Sequence, residues 1–159
     1  MDGGRMQPSM RSFDLSRALT GVTLPFESAV FEAGRTLKTH IDEGVECTGD
    51  EEMLKQLAVI LLGNALKYSN DGGEIDVRLS RRDGRPVLEV RNTGTPIPPE
   101  SLPRIFDRFY RVDDSHNREN PGNGLGLSIA RSIVQAHRGE IAVQSDAQRG
   151  TTFRVTLPK

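Results

Sequence analysis

The stretch DEEMLKQLAVILLGNALKYSNDGGEIDVRLSRRDGRPVLEV, residues 50–90, decides the fold, because its hydrophobic period changes from helical to alternating within one turn. Leu54, Leu57, Ala58, Leu61, Leu62 and Ala65 recur at helical spacing and predict a helix over 50–68 with one apolar face. Asn70-Asp71-Gly72-Gly73 is a strong stop. Ile75, Val77 and Leu79 then alternate with Asp76, Arg78 and Ser80. Asp83-Gly84 reverses the chain and Val87 to Val90 returns, which predicts a β-hairpin.

Upstream, residues 1–12 read as a linker of glycine, proline and polar residues, with the domain proper over 13–159. Asp14 or Ser16 can cap a helix over 15–34, in which Pro25 predicts a kink or two pieces. Leu37, His40 and Ile41 suggest a short strand. After a turn at Glu43-Gly44, Val45 to Thr48 can pair with it. Downstream, residues 94–124 have no apolar period and five prolines, and a structureless stretch of that length in a compact domain is usually either functional or disordered. A helix over 125–137 follows, with Leu125, Ile129, Ala130, Ile133 and Val134 on its apolar face and Gly139 placed to end it. Strands at Ile141–Gln144 and Thr152–Leu157 close the chain. Short turns between most strands predict an α+β fold, a two-layer α/β sandwich with a mixed, largely antiparallel sheet and helices on one face.

A chain of 159 residues with 21 basic and 22 acidic side chains, net charge -1, gives no basis for broad electrostatic binding to nucleic acid or an anionic membrane. One cysteine, Cys47, excludes an internal disulfide. No apolar run reaches the roughly 18 residues of a membrane span.

Four constellations can carry chemistry. On the helix, Ile60, Asn64, Lys67 and Tyr68 share a stripe. Asn64 offers a neutral oxygen suited to Mg2+ held mainly by phosphates, Lys67 a charge for a terminal phosphate, and Tyr68 a ring to stack on a base. The same stripe also fits an ordinary helix end with a solvated lysine. Asn92-Thr93-Gly94-Thr95-Pro96-Ile97-Pro98 ends a strand. Its asparagine can pair with adenine and its glycine permits close backbone approach, although a plain proline-rich turn would look alike. Pro121-Gly122-Asn123-Gly124-Leu125-Gly126-Leu127 brings alternating glycines to a helix N-terminus, a ready anion site. Gly150-Thr151-Thr152-Phe153 resembles any glycine-led strand start.

Their order is more specific than any one of them. Asn64-Ala65-Leu66-Lys67-Tyr68, the Asn92-Thr93-Gly94 turn, Ile105-Phe106-Asp107-Arg108-Phe109-Tyr110-Arg111, Gly124-Leu125-Gly126-Leu127 and Gly150-Thr151-Thr152-Phe153 together resemble the N, G1, F, G2 and G3 boxes of sensor histidine kinases. The resemblance implies the Bergerat α/β sandwich with three helices on one face of the sheet, and an ATP lid over 95–123. It implies ATP and Mg2+ as ligands. Asn64 and Asn123 would be metal ligands, Lys67 a phosphate contact and Tyr68 a neighbour of adenine. Asn92, Gly94, Ile97, Gly122, Gly124, Leu125, Gly126, Leu127 and Thr152 would line the nucleotide. Arg111 and Arg118 would stabilise γ-phosphate charge beside the catalytic Asn64 and Lys67, while Phe106 and Phe109 would anchor the lid by burying their rings.

Two positions depart from the family pattern. The family usually has aspartate where this chain has Asn92. Ile60 stands where such kinases often have a second asparagine and gyrase-like ATPases a glutamate that activates water. No histidine fits the usual phosphoacceptor pattern: His40 lies in a short strand, His116 in the lid, and His137 at a helix end. The chain is therefore expected to start just after a dimerisation domain that supplies the phosphoacceptor, with a response-regulator receiver as the next partner. Alone it should be a cytoplasmic monomer without membrane contact, within a homodimeric parent for which both an inner-membrane sensor and a soluble kinase stay open. The rival readings are a non-catalytic nucleotide-binding scaffold, a serine kinase of the anti-sigma-factor type, whose lid is typically short, and a gyrase-like ATPase.

Overall fold

The computed structural model describes residues 7–110 and 126–159. In chain order its elements are β1 (Arg11–Asp14), α1 (Leu15–Glu32), β2 (Thr36–Ile41), β3 (Glu46–Gly49), α2 (Glu51–Tyr68), β4 (Glu74–Arg82), β5 (Arg85–Asn92), a single 3-10 turn at Leu102–Arg104, α3 (Gly126–Ala136), β6 (Glu140–Asp146) and β7 (Gly150–Thr156).

The five-stranded sheet runs β2-β4-β5-β7-β6. Only β2–β4 is parallel; β4–β5, β5–β7 and β6–β7 are antiparallel. One face is apolar: Ile75, Val77 and Leu79 of β4, Leu88 and Val90 of β5, and Phe153 and Val155 of β7 are all buried. Against them pack Leu54, Leu57, Leu61 and Leu62 of α2 and Ala130, Ile133 and Val134 of α3, forming one cluster with Leu15 and Leu19 of α1. Each fully buried large aliphatic contributes roughly 1.5–3 kcal/mol over an exposed one, so the helical and alternating periods of 50–90 supply much of the folding force.

The opposite face is charged. Arg91 pairs with Glu74 at 3.1 Å and Asp76 at 3.0 Å, Lys38 with Glu74 at 3.1 Å, and Glu89 with Arg154 at 2.9 Å. His40 is half exposed there, its Nε2 3.5 Å from the buried Oδ1 of Asp76.

Three expectations need correcting. First, Arg11 and Ser12 are not linker: they belong to β1, which pairs antiparallel with β3, Arg11 opposite Gly49. Accordingly β3 does not pair with β2. The buried Ser16 diverts the chain, since its hydroxyl donates to the Asp42 carbonyl and accepts from Val45 N–H at 2.9 Å, while Leu15 N–H donates to Val45 at 2.9 Å. This clamp turns residues 42–45 away from the sheet and towards β1. Ser16 is thus a turn clamp, and the N-cap is Asp14, whose carboxylate accepts from Arg17 N–H at 3.1 Å.

Second, α1 runs unbroken through Pro25. The carbonyl deprived of its donor is that of Gly21, an exposed residue without a Cβ, so crowding and desolvation are both small there. Third, α3 is closed by Arg138 in the left-handed region (φ 59), not by Gly139. Arg138 N–H donates to Gln135 at 2.9 Å and Gly139 N–H to Val134 at 2.9 Å, the paired bonds of a Schellman cap. Gly139 is glycine for another reason: a Cβ there would stand 2.6 Å from the Thr156 carbonyl of β7.

Candidate functional site

The site residues converge on the C-terminal half of α2. Asp50 starts that helix by accepting from Met53 N–H at 3.1 Å, Glu51 and Glu52 occupy the first turn and Lys67 the last, an arrangement that follows the helix dipole. Arg35, absent from the sequence-based expectations, fixes the far end. Its Nε donates to Ser69 Oγ at 3.0 Å and its Nη2 to the Ser69 carbonyl at 2.9 Å.

Ile60, Asn64 and Lys67 are half-buried on the expected stripe, and Tyr68 is partly exposed. Lys67 Nζ lies 5.1 Å from the Tyr68 ring centroid, a cation–π distance. Two glycines meet this stripe. A Cβ on Gly94 (φ 145) would be 2.4 Å from the Tyr68 carbonyl, so only glycine lets the turn after β5 close on the helix end. At the other side, the position of a Cβ on Gly126 is 3.6 Å from Ile60 Cγ2, which brings the first turn of α3 against α2. Ile60 is therefore a packing residue between helices.

Thr93 ties the turn to the link between α2 and β4. It accepts from Glu74 N–H at 2.9 Å and donates to Asn70 Oδ1 at 2.7 Å. Asn92 is buried, and its Nδ2 donates to the Thr93 carbonyl at 3.0 Å. A carbonyl oxygen can only accept, so the amide orientation follows from its partner and Oδ1 is left as the acceptor. Gly150 (φ 89) permits the closest approach of all: a Cβ would be 2.1 Å from the Asn92 carbonyl.

Beside Asn92 in the register stands Thr151, not Thr152. Thr151 is buried and shares a 2.7 Å hydrogen bond with Ser145 Oγ, which accepts from Ile97 N–H at 2.8 Å. Thr152 pairs with Arg91 and so projects from the charged face, away from the helices; as a side-chain contact to a ligand on the helical side it is misplaced. Strand alternation from the buried Phe153 carries the signal for Thr151. Leu127 packs its side chain against the core, which leaves its backbone N–H as its polar group in the first turn of α3.

Phe106 behaves as expected, edge-on to Phe153 with ring centroids 6.0 Å apart. Phe109 does not. It is 62% exposed with φ 66, its ring 5.4 Å from the Arg108 guanidinium carbon. The segment is held instead by Tyr110, which donates to Ser101 Oγ at 2.7 Å. Arg111, His116, Arg118, Gly122, Asn123, Gly124 and Leu125 lie outside the described residues.

Of the histidines within them, His137 is 3% exposed with both ring nitrogens engaged, and His40 faces Asp76. Among the described residues no group of three or more His, Cys, Asp or Glu could hold a metal, and no helix is long and apolar enough to cross a membrane.

Residues 49–159 match the family described as histidine kinase-, DNA gyrase B-, and HSP90-like ATPase. The chain is 43% identical over 157 residues to the sensor histidine kinase CusS of Escherichia coli strain K12, covering 99% of this chain and 32% of that protein. It is 40% identical over 146 residues to the sensor histidine kinase YkoH of Bacillus subtilis strain 168, covering 92% and 31%. The chain thus spans about a third of the length of these curated relatives. In structure it is similar to the catalytic domain of the histidine kinase ThkA, with a TM-score of 0.83, 26% identity and 97% of each chain covered. Full-length ShkA in complex with AMPPNP superimposes with a TM-score of 0.82 at 25% identity, over 96% of this chain and 32% of that one.

Proposed function

Since the chain belongs to the histidine kinase-, DNA gyrase B-, and HSP90-like ATPase family, as an ATP-binding catalytic domain of the sensor-histidine-kinase type, we propose that it holds Mg–ATP against the end of α2 and presents the γ-phosphoryl group to a histidine on a separate dimerisation domain. The observation that carries this reading is the meeting of two separate chain segments on one helix stripe: Gly94 at Tyr68 and Gly126 at Ile60, with Asn64 and Lys67 of the same stripe close by.

Each residue then has a physical task. Asn92 Oδ1 accepts from the adenine amine, its own amide being held by the Thr93 carbonyl. The Gly94 turn lets backbone approach the base. Lys67 sets a positive charge at the phosphates, and the first-turn N–H groups of α3, with those at Gly124 and Leu125, cradle phosphate oxygens. Asn64, half-buried and uncharged, suits a cation that arrives with the nucleotide and keeps most of its ligands as phosphate and water. Bound Mg2+ would supply neutralisation of phosphate charge, with Asn123 as a second amide donor. Arg111 and Arg118 complete the proposal as γ-phosphate contacts from the lid.

Catalysis of this kind is mostly positioning and charge compensation. The acceptor imidazole is proposed to come from the dimerisation domain; His137, buried with both nitrogens occupied, is not available for that role. A receiver domain of a response regulator is the proposed next acceptor, and the parent is proposed to be a homodimeric sensor. The deciding experiment mixes the chain with Mg–ATP and a separately made dimerisation domain of a CusS-like kinase. Acid-labile phosphate on that partner, lost with Asn64→Ala or Lys67→Ala, supports phosphotransfer. Nucleotide binding without transfer under the same conditions would reassign the domain to a non-catalytic role.

A further inference from the structure

A second polar concavity lies at the far end of the sheet. The cleft, about 510 Å3, is walled by Arg82, Arg85, Arg154 and Lys159, with Asp83 on its rim and Val87 and Thr156 in its floor. Arg82 faces Arg85 in the last pair of the β4–β5 ladder, and Val87 faces Thr156 across β5–β7. Asn92 ends the same β5 strand seven residues on, about 23 Å away at roughly 3.3 Å per residue. Parity along β5 places Val87 with Glu89 and Arg91, on the face without helices.

The cleft is pre-arranged. Glu89, behind it, accepts from Arg82 Nη2 at 3.3 Å through one oxygen and from Arg154 Nε at 2.9 Å through the other. One carboxylate thus orients two guanidiniums, each of which keeps further N–H donors. Arg85 and Lys159 make no ion pair among the described residues, and the Lys159 stem lies over the turn, its Cε 3.3 Å from where a Gly84 Cβ would stand. Val87 is only 3% exposed although it is on the outer face, so the surrounding side chains already close over the floor. Four cationic side chains against the Asp83 and Glu89 carboxylates leave a side-chain excess of two positive charges, which the Lys159 α-carboxylate of the 159-residue chain reduces to one.

We propose that this cleft is a phosphate-binding site separate from the nucleotide site, taking a phosphoryl group carried by a soluble phosphate compound or by a phospholipid headgroup. Planar guanidinium forks match phosphate oxygens, a lysine adds a compact charge, and the Thr156 hydroxyl can donate from the floor.

The test titrates pyrophosphate into the 159-residue chain, with ADP present to fill the nucleotide site, and follows backbone amide resonances. Saturable shifts at Arg85, Thr156 and Lys159, weakened at least tenfold in the Arg85→Ala/Lys159→Ala double variant, are expected. Those two side chains hold no ion pair among the described residues, so the variant should keep its thermal midpoint and unchanged ADP affinity. A parallel arm measures co-sedimentation with phosphatidylglycerol vesicles against phosphatidylcholine vesicles. Pyrophosphate binding alone assigns a soluble ligand. Binding to phosphatidylglycerol that is lost in the double variant assigns a headgroup. Shifts that do not saturate, or that persist unchanged in the double variant together with unchanged sedimentation, would overturn the proposal.

Discussion

The backbone N–H of Asp50 donates to Nε2 of His137 at 3.0 Å, joining the N-cap of α2 to the C-cap of α3. Nδ1 of the same ring lies 2.8 Å from the Ile133 carbonyl, so it carries the hydrogen and Nε2 is bare. The imidazole is therefore fixed as one neutral tautomer. Gly49 leaves room for it, because a Cβ there would stand 2.9 Å from His137 Cδ2. His137→Ala removes a buried acceptor and opens a cavity, and should cost about 2–4 kcal/mol of unfolding free energy in urea denaturation. Gly49→Ala should also destabilise by pushing the ring off its two partners. Neither change touches the candidate nucleotide residues, so ADP affinity of the folded fraction should hold.

Two carboxylates should contribute to acid stability. The Asp50 carboxyl is held below its ordinary range first by the Ser9 N–H and then by the Met53 N–H; Glu74 is held below its own by the Lys38 ammonium and then by Arg91. Both have a folded pKa below the unfolded one. The stability they contribute is complete above about pH 4 to 4.5 and is lost as the pH falls through the folded values. Their part of the denaturation midpoint should stay level from pH 7 to pH 5 and decline below about pH 4. Asp50→Asn keeps a capping oxygen while removing the charge, so it should flatten part of that decline. A decline equal to the parent chain's would contradict the assignment.

Asn92 should govern base selection. With its amide tied to Thr93, Asn92→Ala removes the acceptor for the adenine amine and should weaken ATP binding about tenfold, the effect of a lost buried hydrogen bond of roughly 1.4 kcal/mol. GTP binding should change much less. Calorimetric titration of both nucleotides reads the difference, and unchanged ATP affinity would remove Asn92 from the site.

Ile60 supplies no base at the helix position facing Gly126. Purified chain with Mg–ATP and no acceptor domain should hydrolyse ATP very slowly. Rapid steady-state release of phosphate would mean that another group activates water at this site.

Cys47 is buried and its thiol is pushed up to about 11 by that burial. At pH 8 it should not react measurably with a disulfide reagent until denaturant exposes it, so its labelling rate reports opening of the β1–β3 ribbon.

Much of this was legible wherever period and local chemistry agreed. The apolar stripe of α2, the Asp83-Gly84 hairpin and the inward face of α3 all sit where the pattern puts them. The misses share a cause, namely partners distant in sequence. The pairing of β1 with β3 depends on the Ser16 clamp, a tertiary contact that no window reveals. Arg35 and Ser145 likewise act on residues far along the chain. Thr151 was within reach, because it shares parity with Phe153. Phe109 was overestimated: one aromatic, Phe106, finds the Phe153 ring, and a left-handed backbone turns the next one outward.

The register that sets Asn92 opposite Thr151 also has a kinetic meaning. Hairpins β4–β5 and β6–β7 are local and can close in about 1–10 μs, whereas the β5–β7 ladder joins strands separated by the whole 93–149 segment and must wait for that loop to be closed. Asn92 and Gly150 stand on opposite sides of this late seam. A nucleotide bound there would act as a rivet across the last joint to form, slowing its reopening and so lengthening the lifetime of the native state more than it hastens folding.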